Sequence, residues 1–191
     1  VPAFMVEIIA EISQQARRSP HVNQRSGVSV RLSIANYETL VANALRRALH
    51  THEAEAVPRV SDLEALVSST SGKIEIETLD DGREGQVLER IIQAAILEVF
   101  RAHVKPERLT ALVQAFDDGR VVHTGDELPS ADYVALISDL PGVKETLEDL
   151  GVVETPGSVA SAIEFLLEGL HLSKRLNKDA MGNRATYRSR G

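Results

Sequence analysis

Val87-Leu88-Glu89-Arg90-Ile91-Ile92-Gln93-Ala94-Ala95-Ile96-Leu97-Glu98-Val99-Phe100 is the stretch on which the fold class turns. Its apolar residues at 87, 88, 91, 92, 95, 96, 99 and 100 recur at helical spacing, while Glu89, Arg90, Gln93 and Glu98 fall on the opposite side. A helix with so clear a stripe must bury one face. The same periodicity runs through most of the chain, and it predicts an all-α protein.

Upstream, Ala3 to Arg18 reads as a first helix stopped near Pro20. Ser29 or Ser33 can cap a second, whose apolar residues run Ile34, Tyr37, Leu40, Val41, Ala44, Leu45, Ala48, Leu49 before polar residues lead to Pro58. A short helix is expected at Val60 to Val67. Downstream, helices are expected at Glu107 to Phe116, near Asp132 to Ile137, at Val143 to Leu150, and at Val159 to Leu172, the last entered through Thr155-Pro156-Gly157-Ser158. Only residues 73–78 alternate like a strand, with Ile74 and Ile76 against Glu75 and Glu77, so at most one short β segment is predicted. Gly-containing turns are expected at Asp80 to Gly82, Asp117 to Gly119 and Asn177 to Gly182.

The 191 residues suffice for one large helical domain or two small ones, the latter joined near Ala54 to Arg59. Charge is zoned: residues 1–60 carry seven basic and five acidic side chains, residues 61–173 eight and twenty-two, and residues 174–191 six and one. The net charge of -7 argues against a protein that coats nucleic acid, although a local basic patch remains open. With no cysteine, disulfides, thiolate zinc sites and cysteine nucleophiles are excluded. No apolar run approaches the roughly 20 residues that span a bilayer, and Val1-Pro2-Ala3-Phe4 lacks the charged start of a secretory signal, so a cytoplasmic protein is expected. The first residue is not Met and the chain enters at once on a helical pattern, which suggests a fragment of a longer protein.

Most catalytic signatures fail. Thr70-Ser71-Gly72-Lys73 resembles the end of a P-loop, but Ile74 stands where the hydroxyl ligand of Mg²⁺ belongs and Val67 where the first Gly belongs. Asp126-Glu127 follows Thr124-Gly125 rather than an apolar strand, so no Walker B is present. The six histidines form no H-E-x-x-H, the Asp-Asp-Gly turns lack the other ligands of a calcium loop, and no G-x-S-x-G elbow raises a serine above the rest. A DNA-reading helix-turn-helix is disfavoured, because Leu32, Ser33, Ile34 and Ala35 offer few groups for base edges. No metal site and no catalytic residue are assigned.

One constellation remains, Gln24-Arg25-Ser26-Gly27-Val28-Ser29-Val30-Arg31. A Gly-containing turn feeds a capped helix, and Arg31 lies in its first turn, where a guanidinium can meet an anion beside the positive helix end. Ser26-Gly27-Val28-Ser29-Val30-Arg31, followed by a long helix through Ala44-Leu45-Arg46-Arg47-Ala48, resembles the helical lid of AAA+ ATPases close to the magnesium chelatase I subunit and MoxR-type proteins. Residues 68–77 and 162–179 look like the C-terminal extension of bacterial magnesium-chelatase-like ATPases.

The resemblance implies a lid at residues 1–56, a helical extension at 57–180 and a flexible basic tail at 181–191. It makes Arg31 the nucleotide-sensing arginine known as sensor 2, with Arg25 and Ser29 in support. It further implies ATP and Mg²⁺ bound only together with an N-terminal α/β core carrying Walker A and B, a homo-oligomeric, hexameric ring, and a chelatase-type or other protein partner that receives metal insertion or remodelling. By itself the chain would be inactive, and an apolar patch should lie exposed on the first two helices. The alternative is a stand-alone helical interaction module without nucleotide binding, whose acidic middle meets a protein partner.

Overall fold

Pro156–Leu172, the most apolar helix of the chain, is enclosed nearly all round. In a computed structural model describing residues 1–23, 25, 27–76 and 83–191, the other elements are arranged about it. The chain runs α1 (Ala3–Arg18), α2 (Val30–His50), a 3₁₀ segment (Val60–Ala65), α3 (Leu66–Thr70), α4 (Glu84–His103), α5 (Pro106–Asp117), β1 (Val122–Gly125), α6 (Ser130–Asp139), α7 (Val143–Asp149), α8 (Pro156–Leu172), β2 (Leu176–Met181) and β3 (Arg184–Ser189). Thr155 starts α8 by accepting the Ser158 N–H on its hydroxyl, and Pro156 at the first position forfeits no helical hydrogen bond.

The helix predicted from Val87–Phe100 is α4, and all eight of its stripe residues are buried. It lies against α1, whose Phe4, Met5, Ile8, Ile9 and Ile12 are buried in turn. Both meet α8 at an aromatic cluster: Phe165 stacks on Phe4 at 4.6 Å between ring centroids and meets Phe100 edge-on at 5.8 Å. Gly169, one turn on, lets the Phe100 ring approach so closely that a Cβ there would sit 2.0 Å from it.

One apolar cluster runs from Phe4 to Tyr187 and takes in residues on both sides of 54–59, where the sequence suggests a join. That segment lies on the core: Pro58 O accepts the Ser161 hydroxyl, and a Glu55 carboxylate oxygen accepts the Gly157 N–H. Among the described residues no helix is long and apolar enough to cross a membrane.

The expectation of a helical protein holds in outline, and that of at most one short β segment is corrected: the protein is mostly helical with a small antiparallel sheet, in the order β1-β3-β2. Residues 71–76 contribute only isolated bridges, Ser71 to Ile74 and Val22 to Ile76, and the rest of the expected β segment, residues 77–78, lies outside the described residues, as does the expected turn at 80–82. The expected flexible tail at 181–191 is also corrected, since Arg184–Ser189 is the central strand, paired on both sides. The hairpin turns at Gly182, whose φ of 57° suits glycine, so Asn177 to Gly182 is mainly strand with a turn only at its end. Tyr187 and Leu176 are buried and carry the inner face of this otherwise polar hairpin.

On α2 two faces are apolar. Leu32, Leu40, Ala44 and Ala48 point into the core, while Val30, Ile34, Tyr37, Leu45 and Leu49 form a second stripe in the open, Val30 and Leu49 being 68% and 69% exposed. The second stripe has no packing partner within the described residues.

Candidate functional site

The turn into α2 is built from both of the first two helices. Gly27 takes a left-handed φ of 69°, and Ser29, extended at φ -72° and ψ 147°, accepts the Arg31 N–H on its hydroxyl at 3.2 Å. Ser29, rather than Ser33, is therefore the cap; the Ser33 hydroxyl instead pairs with that of Ser13 on α1 at 2.7 Å. From the end of α1 the Arg17 guanidinium donates to the Val28 carbonyl at 3.1 Å and ties the turn down. Arg17 escaped the sequence reading, although a doublet of arginines just before Pro20 was the available signal.

Arg31 lies in the first helical turn of α2, exposed, its guanidinium without a hydrogen-bond or ion-pair partner among the described residues. Arg25 is also exposed, and its backbone N–H donates to Asn23 Oδ1 at 2.8 Å. Gln24 and Ser26 lie outside the described residues. The structure thus presents a capped helix start, with its uncompensated N–H groups, beside a free guanidinium, which is chemistry for holding phosphate or another anion.

The other end of α2 is sealed into a buried ionic hub. Arg47, 2% exposed, donates to both oxygens of Asp62 (Nε at 3.3 Å, Nη2 at 3.0 Å), to Glu53 at 3.4 Å and to the Val57 carbonyl at 2.6 Å. Arg59, fully buried, reaches Glu53 at 3.0 Å, the Leu128 carbonyl at 2.8 Å and the Ser130 hydroxyl, and its guanidinium lies 4.9 Å from the centre of the Tyr133 ring. Asp62 also accepts the Arg59 N–H at 2.8 Å and the Asn43 amide at 3.0 Å. The hub joins α2, the 3₁₀ segment and α6 through mutually paired buried groups, with Arg59 Nε alone among its guanidinium nitrogens left without a partner.

Two carboxylates at the hub shift in opposite directions although burial acts on both in the same sense. Desolvation pushes the Glu53 carboxyl up, but the Ser130 N–H and hydroxyl, with Arg59 and Arg47, outweigh it and hold Glu53 below the ordinary carboxylate range. At Glu164 desolvation prevails over Arg59, the Tyr133 hydroxyl and the Ser61 N–H, and the carboxyl is pushed up. Asp62 and Glu164 raise Arg47 despite burial, its Asp62 hydrogen bond being the largest support.

Compared with known proteins, the chain matches no family model, no curated protein and no solved structure.

Proposed function

We propose that this chain is the C-terminal lid and helical extension of a chelatase-like AAA+ ATPase, a cytoplasmic machine in which Arg31 contacts the terminal phosphates of ATP held mainly by an α/β core. The observation that carries the reading is the unpaired Arg31 guanidinium in the first turn of a helix capped by Ser29, at the place where the resembling lids carry their sensor arginine. The open apolar stripe of α2 supports it, since a lid must pack on a core and this face is apolar, exposed and on the helix that bears Arg31. Cleavage of the γ-phosphate would remove the anion that Arg31 holds, and the lid would turn relative to the core as a rigid helical body. Mg²⁺ and the groups that break the phosphate bond belong to the core, and Arg25 stands by as a second cation.

The test is ATP binding and turnover by this chain beside the protein read from its natural start. Activity is expected only in the latter, lowered about tenfold or more by Arg31→Ala, the usual scale for one lost charge-stabilising contact. Unchanged turnover in Arg31→Ala would sink the sensor assignment. If neither form binds ATP, the chain is the stand-alone helical interaction module instead.

A further inference from the structure

A cleft of about 600 Å³ opens between the inner face of the sheet and the helices α4 and α8, and it shares no residue with the α2 turn. Its origin lies in side-chain size. At one end of the sheet Val122, Tyr187 and Leu176 are buried in the core; toward the hairpin tip the paired inner residues are the small Ala180 and Ala185, which line the cleft. The gap that results is walled by Leu63, Ile92 and Ile96 and floored by polar groups.

On that floor Glu164 and Glu168 project from the same face of α8, one turn apart. Both oxygens of Glu164 are engaged, Oε1 by the Tyr133 hydroxyl at 2.7 Å and Oε2 by the Ser61 N–H at 2.9 Å. Glu168, only 4% exposed, accepts Lys178 Nζ at 2.8 Å and the Tyr187 hydroxyl at 2.6 Å, both on Oε2. Its Oε1 has no hydrogen-bond partner among the described residues and is not among the polar atoms sealed from solvent, so it is left to the cleft that Glu168 lines. Glu64 and Glu89 line the cleft as well and have no ion-pair partner among the described residues, while Arg184 on the wall is bound to Glu127 at 2.8 Å. Burial raises the Glu64 carboxyl; Lys178 opposes this, and Asp126, Glu168 and Glu89 add to it, so negative charge is in excess there.

We propose that this cleft binds an organic cation, an ammonium or guanidinium on an aliphatic stem, with the stem against Leu63, Ile92 and Ile96 and the head at Glu168 Oε1, in the negative field to which Glu64 and Glu89 on the cleft wall add. The apolar walls favour such a stem over a bare metal ion, and among the described residues no three His, Asp or Glu side chains gather closely enough to hold one. An anion would face the surplus carboxylates. The head could come from a free amine or from a lysine or arginine of a protein partner, the chemistry being shared. This proposal is independent of the ATPase reading.

The test is a titration of the isotope-labelled chain, followed by amide shifts, with agmatine, cadaverine and a capped arginine tripeptide, against 1-pentanol as the uncharged control. Shifts are expected at the residues of the cleft with at least one cation and not with pentanol. Glu64→Gln and Glu168→Gln should each weaken binding about tenfold, the scale of one charge-assisted hydrogen bond. Response to the free amines as well as the tripeptide would indicate a small-molecule ligand, and to the tripeptide alone a basic segment of a partner. Absence of shifts with all three cations, equal shifts with pentanol, or affinity untouched by the substitutions would overturn the proposal. Should Glu168→Gln fail to fold, Glu64→Gln, only partly enclosed by the cleft wall, and Glu89→Gln, at an exposed position, decide it.

Discussion

Arg31 and Arg47 stand on the same helix about 24 Å apart along its axis, at a rise of about 1.5 Å per residue, and their circumstances are opposite. Arg31 is in solvent with an unpaired guanidinium; Arg47 is buried with its nitrogens on Asp62, Glu53 and the Val57 carbonyl. A buried arginine that is fully hydrogen-bonded holds structure together, whereas an exposed and unpaired one at a helix start is available to a ligand. The two ends of α2 therefore differ in circumstance, one anchoring the helix to the rest of the chain and the other left open to solvent.

The sharpest way to break this comparison is at the anchored end. Arg47→Ala leaves Asp62 buried without its counter-charge and Glu53 with Arg59 alone, and should cost about 3–5 kcal/mol, the range for removing one partner of a buried ion pair. Urea unfolding followed by circular dichroism measures it. A loss below about 1 kcal/mol would mean that the hub relaxes or fills with water, and that α2 is held chiefly by Leu32, Leu40, Ala44 and Ala48.

Acid provides the next test, with Glu53 and Glu164 as opposed probes. Glu53 is held below its ordinary value in the folded protein, so its contribution is present above the unfolded carboxylate range and lost as pH falls through the folded value. Glu164 is pushed up, so its contribution is present below the unfolded value and lost as pH rises through the folded one. Glu53→Gln should therefore lose more stability at pH 7 than in acid, while Glu164→Gln, which removes a buried charge and keeps a carbonyl acceptor, should lose less at pH 7 than Glu53→Gln does. Urea midpoints for both variants at pH 7 and near pH 4 decide it, and the reverse ranking at pH 7 would show the hub's electrostatics to be wrongly assigned.

What a reader of the sequence could foresee follows from how local each feature is. Helix α1 is bounded by its stripe and Pro20, and α4 by its eight apolar positions, so both are legible without the fold. The sheet is not: Leu176–Met181 is mostly polar, Arg184–Ser189 reads as a basic tail, and the third strand is Val122–Gly125, some fifty residues earlier. Arg46 and Arg47 are neighbours of one type, and only the later placement of Glu53 and Asp62 makes the second a core residue while the first stays 66% exposed. The α2 turn was legible because cap, glycine and arginine lie within a few residues; the cleft was not, because its carboxylates come from the 3₁₀ segment, α4 and α8.

The smallest effects lie at the free end. Ser29→Ala removes the cap on α2 and should cost about 1 kcal/mol, the usual loss for a serine cap. Arg31→Ala touches no partner among the described residues and should change stability by less than about 0.5 kcal/mol, as exposed substitutions do. Together the two variants separate building the site from operating it: a protein as stable as the parent but impaired in nucleotide response assigns Arg31 to the ligand. An Arg31→Ala chain that loses as much stability as Arg47→Ala would instead show that the guanidinium holds the turn together, and the contrast between the two ends of α2 would collapse.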